Sequence, residues 1–279
     1  MADWLDYEDA YEGGASRVAG TVKVLRAVRS AELANTRDIL VYLPPSYPTA
    51  NQTYATLYMH DGQNLFDEAT SFAGEWRVDE ALEALAKDGT EAIVVGIPNT
   101  GANRLAEYSP FQDARFGGGR AADYVKFIVE TVKPLVDAAF RTTGERDGTA
   151  TIGSSMGGLI SLYAFFERPD VFGAVGAVSP SVGFARGAPI DYLERARFVG
   201  GRIYLDVGTH EGRPRDRDPL DLRRKPAAYV QMVRDARDLL VRKGYTEGRD
   251  LLYVEEEGAV HNEAAWAERL PRLLRFLLG

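Results

Sequence analysis

Cysteine is absent from the chain. No disulfide framework, thiolate nucleophile or cysteine-based metal site is therefore possible. Histidine is scarce, with 3 residues, and none stands in a paired metal-binding spacing such as His-Glu-x-x-His. Chemistry that needs an imidazole must draw on His60, His210 or His261. Positive charge is also short: 33 Lys and Arg face 41 Asp and Glu, a formal net charge of −8. Such a surface repels nucleic-acid phosphates and anionic membranes, so a small or neutral substrate suits it better. No apolar run reaches membrane-spanning length. The N-terminus is acidic and lacks the basic and apolar regions of a signal peptide, so a cytoplasmic protein is expected unless a leader has been removed.

What is present is enough apolar residue, 45% of 279, for one sizeable core. Residues 1–19 are acidic and aromatic with no clear period and read as a peripheral arm, leaving 20–279 as a single domain. Segments 20–28 and 36–43 predict strands, the second stopped by Pro44-Pro45. A more apolar strand is expected over 54–59. From there the rhythm is strand, loop, helix. Strands are expected at 92–97, 149–152, 174–178, 202–207 and 251–254. Helices are expected at 75–87, 121–140, 159–166, 227–243 and 263–278. The sum is about eight strands in a mostly parallel sheet with helices on both faces, an α/β architecture.

One stretch carries chemistry. Gly153-Ser154-Ser155-Met156-Gly157 follows an apolar strand and precedes a helical run. Gly-x-Ser-x-Gly in a chain with 28 glycines is weak by itself, but the strand-to-helix context is that of a nucleophile elbow, with glycines relieving a crowded turn and Ser155 at its apex. An unactivated serine needs a base, a group to orient the base, and donors for an oxyanion. His261 follows the last strand, so the parallel sheet puts it on the same rim as Ser155. The acid is expected between them in sequence. Glu211, past the end of strand 202–207, fits best. Asp206 lies within that strand and would face a helix layer; Asp216, Asp218 and Asp221 are weaker alternatives. The oxyanion donors are expected to be the Met156 amide and, from the loop after the third strand, the Gln63 amide, with Gly62 allowing a sharp turn and His60 and Asp61 bracing it. Phe66, Phe72, Tyr108, Phe111 and Phe184 are candidates for an acyl or aryl pocket, with core edges as the alternative.

These segments, together with Leu43-Pro44-Pro45-Ser46-Tyr47, the run from Tyr58 to Asp67, Asn103-Arg104-Leu105-Ala106-Glu107-Tyr108-Ser109-Pro110, Val207-Gly208-Thr209-His210-Glu211 and His261-Asn262-Glu263-Ala264-Ala265-Trp266, resemble the esterase family of the α/β-hydrolase superfamily. That family holds S-formylglutathione hydrolases, enterochelin esterases, feruloyl and acetyl xylan esterases, and mycolyltransferases. The resemblance runs from about Arg37 to the C-terminus. It implies an α/β-hydrolase fold, hydrolysis of small-molecule esters without a cofactor, Ser155 as nucleophile, His261 as base and Glu211 as acid. Many members carry Asp at the acid position, Gln63 stands where some relatives have an apolar residue, and the cysteine-bearing loop of formylglutathione hydrolases is missing. An acyltransferase with the same triad, a metal hydrolase and a non-catalytic domain of the same fold are the alternatives.

Overall fold

The computed structural model describes residues 2–11, 18–212 and 226–279. Asp216, Asp218 and Asp221 lie outside the described residues. Nine strands form one sheet: β1 (Leu5–Asp6), β2 (Thr21–Ser30), β3 (Asn35–Leu43), β4 (Thr56–His60), β5 (Ile93–Ile97), β6 (Thr149–Ser154), β7 (Ala174–Val178), β8 (Arg202–Gly208) and β9 (Leu251–Glu256). Their order is β1-β2-β3-β5-β4-β6-β7-β8-β9. From β5 to β9 every neighbouring pair is parallel, whereas β1, β2 and β3 join antiparallel at one edge. The strand beyond the expected eight is β1. It lies in the acidic N-terminal segment, where Tyr7 and Ala10 of the short helix α1 (Tyr7–Ala10) are also buried.

The parallel strands are apolar on both sides because helices cover both faces. All five residues of β5 and all five of β7 are buried. Alternation sends Val175 and Ala177 into one core and Ala174 and Val178 into the other. The first core is shared with α4 (Ala121–Phe127), α6 (Met156–Glu167), α7 (Ala188–Arg195) and α8 (Pro226–Lys243). The second is shared with α2 (Val78–Leu85) and α9 (Glu263–Leu278), whose Leu270, Leu273, Leu274 and Leu277 recur at helical spacing. Each such leucine contributes about 1.5–3 kcal/mol on burial. A short helix α3 (Arg104–Glu107) precedes α4. The single helix expected over 121–140 is instead α4, a π-helical turn (Ile128–Val132) and α5 (Lys133–Ala139). Pro134 explains the difference: it lacks an N–H, and its ring crowds the carbonyl four residues back, so the turn widens. Among the described residues no helix is long and apolar enough to cross a membrane.

The chain runs from β4 out to β5 and then returns to the other side of β4 as β6. The ends of β4 and β6 therefore flank a topological switch point, where a crevice opens for a ligand. Two glycines let backbone meet backbone there. A Cβ on Gly153 would lie 2.6 Å from the Gly157 carbonyl carbon, and one on Gly62 would lie 2.5 Å from the Ile97 nitrogen. The turn at Gly62 is thus not made by its own freedom. Asp61 takes the left-handed conformation (φ 56°), and Gly62 is small because β5 passes against it. The crowding at the serine turn is likewise one-sided, since a Cβ at Gly157 would meet the nearest atom at 3.5 Å. Gly153→Ala is expected to destabilise the protein by about 2–3 kcal/mol through overpacking. Gly157→Ala should be neutral, or stabilising by up to about 1 kcal/mol through helix propensity. Urea unfolding of the two variants checks the asymmetry, and equal losses would refute it.

Candidate active site

β6 ends at Ser154 and α6 begins at Met156, so Ser155 must turn the chain in one residue. It does so at φ 55°, ψ −118°. Its N–H donates to the Val178 carbonyl at 2.9 Å and its carbonyl accepts from the Ser181 N–H at 2.9 Å, which pins the turn to the segment following β7. Ser155 Oγ lies 3.2 Å from Ser181 Oγ. The Met156 amide is the first of α6, where N–H groups have no intrahelical acceptor.

The loop after β4 faces this helix start. The Asp61 N–H donates to the Tyr108 hydroxyl at 3.0 Å, and the Asp61 carboxylate takes two bonds from Arg104, at 2.8 and 2.6 Å, and one from Asn99 at 2.7 Å. Burial alone would raise the Asp61 pKa, but the Arg104 charge and these hydrogen bonds hold it below the usual carboxylate range. Gln63 is fixed through its other atoms. Its Oε1 accepts the Asn99 N–H at 3.1 Å, and its carbonyl accepts the Thr70 hydroxyl at 2.9 Å. The first bond of the 3₁₀ turn Gly62–Asn64 runs from the Asn64 N–H to the Asp61 carbonyl, so the Gln63 amide precedes it and has no acceptor in the turn. His60 braces this loop from inside. Nδ1 lies 3.0 Å from the Tyr124 hydroxyl and Nε2 3.2 Å from Thr151 Oγ1, and burial pushes the ring pKa down to about 3. That ring is neutral and both its nitrogens are engaged.

His261 stands one residue before the cap of α9. Asn262 Oδ1 accepts the Ala265 N–H at 2.9 Å and fixes where the helix starts, an interaction worth about 1 kcal/mol. His261 Nδ1 is 3.0 Å from Glu211 Oε2, and Glu211 is fully buried. The imidazole is edge-on to Trp266 at 4.9 Å and to Tyr229 at 5.6 Å. Glu211 Oε1 accepts from the Gly208 N–H at 2.9 Å, the Ser179 hydroxyl at 2.5 Å and Arg269 at 3.3 Å. Burial opposes ionisation of this carboxyl. The His261 contact, then Ser179 and Arg269, outweigh burial and leave its pKa lowered. Asp206, the alternative acid, turns into the α9 layer. Its Oδ2 is 3.1 Å from Arg269 Nε and accepts the Tyr204 hydroxyl at 2.9 Å, while burial raises its pKa to about 6 against the pull of Arg269. His210 Nδ1 lies 3.3 Å from Thr209 Oγ1.

Ser155, Met156, Gln63, Glu211 and His261 thus all follow the C-terminal ends of strands of the sheet. Ser155 and the two rings beside His261 meet the same turn, 179–182: Ser181 touches Ser155, while Trp266 and Tyr229 bond to Ser179. Among the described residues no hydrogen bond joins Ser155 to His261. Of the five aromatic candidates for a pocket, Phe66, Tyr108 and Phe184 are buried in the cores. Phe111 packs against a core edge and Phe72 is 89% exposed.

Ser179, Ser181 and Arg269 are the residues the sequence reading passed over. Ser179-Pro180-Ser181 follows a parallel strand next to the serine strand, the right rim for a site. Arg269 falls on the apolar face of α9 between Trp266 and Leu270, and a charge on a core face signals a buried counter-charge.

A mostly parallel sheet with helices on both faces and a strand–serine–helix turn at its switch point is the α/β-hydrolase fold. Siderophore hydrolase EstA from Aspergillus nidulans has this fold with a TM-score of 0.70 at 19% identity, over 96% of this chain and 98% of that one. In sequence, YbbA of Bacillus subtilis (strain 168) is 28% identical over 90% of this chain and 96% of its own length. The siderophore triacetylfusarinine C esterase of Aspergillus fumigatus is 29% identical over 74% of this chain and 75% of its own. Residues 30–277 match the family described as "Putative esterase". The chain belongs to that family and is a carboxylic ester hydrolase.

Two outcomes follow from the buried charges. Arg269→Met leaves Asp206 and Glu211 buried without their cation and is expected to cost about 3–5 kcal/mol in denaturant unfolding; a loss under about 1 kcal/mol would contradict the pairing. His60 is neutral in the folded protein down to pH about 3, whereas the unfolded ring titrates near 6.5. Below that value the unfolded chain binds the extra proton. The contribution of His60 is therefore complete above pH 6.5 and is lost at about 1.4 kcal/mol per pH unit as pH falls towards 3. His60→Gln should remove this component from the acid limb of a stability–pH profile, and an unchanged slope would count against a neutral buried ring.

Proposed function

We propose that this esterase hydrolyses small-molecule carboxylic esters through an acyl-enzyme, with Ser155 as nucleophile, His261 as general base and Glu211 as the carboxylate that orients it. The observation that carries the reading is the 3.0 Å contact between His261 Nδ1 and buried Glu211, on the rim that also bears the strained Ser155. With Nδ1 committed to Glu211, Nε2 is the nitrogen left to take a proton. Ser155 Oγ exchanges its Ser181 contact for Nε2 and attacks the ester carbonyl as its proton passes to His261. The carbonyl oxygen becomes an oxyanion held by the Met156 and Gln63 amides, which lie at the start of α6 and in the clamped loop after β4. His261 then gives its proton to the leaving alcohol, and the acyl group remains on Ser155. Water, deprotonated by His261, attacks the acyl carbon; Ser155 leaves with the proton returned and the acid departs. Glu211, held ionised by its hydrogen bonds, favours the imidazolium formed in each half-reaction. Among the described residues the cluster of three potential metal ligands contains no histidine, so a histidine-held metal finds no support in the geometry. The siderophore esterases among the relatives support a siderophore ester as substrate.

Ser155→Ala and His261→Ala are each expected to lower kcat by about 10⁵-fold or more, and Glu211→Ala by about 10²–10⁴-fold. A panel of aryl, sugar and siderophore lactone esters, read with circular dichroism to verify folding, checks this. Wild type should also be labelled at Ser155 by a fluorophosphonate. Turnover by folded Ser155→Ala near the wild-type rate would refute the assignment.

A further inference from the structure

Away from the serine turn, three carboxylates meet. Glu75, Asp79 and Glu80, around the start of α2, present oxygens that all lie within 4.8 Å of one another. Two oxygens bound to one calcium ion at about 2.4 Å can be no further apart than about 4.8 Å, so the cluster already has the span of a single coordination sphere. Asp79 is fully buried. Its Oδ2 accepts the Ala19 N–H at 2.6 Å, but among the described residues Oδ1 has no hydrogen-bond partner. A buried carboxylate oxygen without a donor is costly. The α2 dipole does not remove that cost, since it favours first-turn carboxylates by only about 0.3–1 kcal/mol. A cleft of about 640 Å³ opens beside the cluster. Glu68, Glu75, Glu80 and Glu268 line it with one guanidinium, that of Arg77, so it draws cations and supplies water to the cluster.

We propose that Glu75, Asp79 and Glu80 form a binding site for a hard divalent cation, with calcium the fitting ion. The donors are all carboxylate oxygens, which excludes preference for soft metals. Calcium accepts irregular oxygen shells completed by water, whereas magnesium demands near-octahedral geometry. The site sits on the segment that supports the rim. The Trp76 and Val78 N–H groups bond to the Asn64 and Leu65 carbonyls at 2.8 and 3.0 Å, and Trp76 packs on Trp266 at 5.9 Å, the ring that borders His261. A bound divalent cation would offset most of the cluster's negative charge and fix this segment.

The test uses calcium and terbium on the whole chain. Terbium luminescence excited through the protein's tryptophans should rise with one ion per chain and be displaced by calcium, and calcium should raise the Tm. Asp79→Asn is expected to weaken calcium binding at least tenfold and to abolish the Tm rise. Glu80→Gln, at an exposed position, should weaken binding in the same direction and decides the matter if the Asp79 variant does not fold. Absence of one-site calcium binding in wild type up to about 10 mM, beyond the weak end of known calcium modules, overturns the proposal. So does unchanged affinity in Glu80→Gln or in folded Asp79→Asn.

Discussion

Arg269 reaches into the interior from α9 with Nε 3.1 Å from Asp206 and Nη2 3.3 Å from Glu211. All three side chains are at most 3% exposed by residue. One guanidinium there serves two carboxylates, whose other hydrogen bonds come from Tyr204, Ser179, the Gly208 N–H and His261. A buried pair of this kind is not in itself a source of stability, but it punishes every arrangement in which a member is missing. It therefore fixes three things together: the end of β8, the docking of α9 and the direction in which Glu211 points. His261 is the beneficiary. The two acids outnumber the one buried cation, so negative charge is left over beside the imidazole. In the proposed reaction that surplus favours the imidazolium.

Strain is concentrated on the same rim. Asp61, Ser155 and Ser179, the first residues after β4, β6 and β7, all have positive φ without being glycine. Each such residue costs on the order of 1–3 kcal/mol and persists only where its surroundings over-determine it. The surroundings here are specific. Asp61 is gripped by Arg104, Asn99 and Tyr108. Ser155 is tied to the Val178 carbonyl, and the Ser179 N–H is tied to the Asp206 carboxylate at 2.9 Å. The result is three sharp turns at the C-terminal ends of β4, β6 and β7. A buried neutral His60 beneath them supplies packing and hydrogen bonds without adding charge.

The polar clusters also divide by how they are satisfied. At Asp61 and Glu211 every strong acceptor finds donors, and both carboxyls titrate below their usual range. At Asp79 an oxygen is unpartnered among the described residues, and burial with the nearby Glu80 pushes the carboxyl the other way, up to about 8. Two buried aspartates, Asp61 with Arg104 beside it and Asp79 with Glu80 beside it, thus shift in opposite directions. That contrast separates the Asp61 and Glu211 carboxylates, whose oxygens all find donors, from Asp79 at the start of α2.

Much of this architecture is legible in the chain itself. Alternation and 3.6-residue spacing depend on which face of an element is apolar, a local property, so the parallel strands and the long helices α6, α8 and α9 could be read directly. The Gly153–Gly157 motif and the histidine after the last strand follow from the same logic, because a parallel sheet sends every strand's C-terminal end to one rim. Strand order could not be read this way: nothing in 93–97 says that β5 lies between β3 and β4. The partners of Ser155, Asp206 and Arg269 were equally hidden, since Ser181 is 26 residues from Ser155 and Glu211 is 58 from Arg269. Periodicity records the environment a side chain needs, but the identity of a hydrogen-bond or charge partner is decided only when distant segments are packed, because those interactions act over a few ångströms in space and carry no signature along the chain.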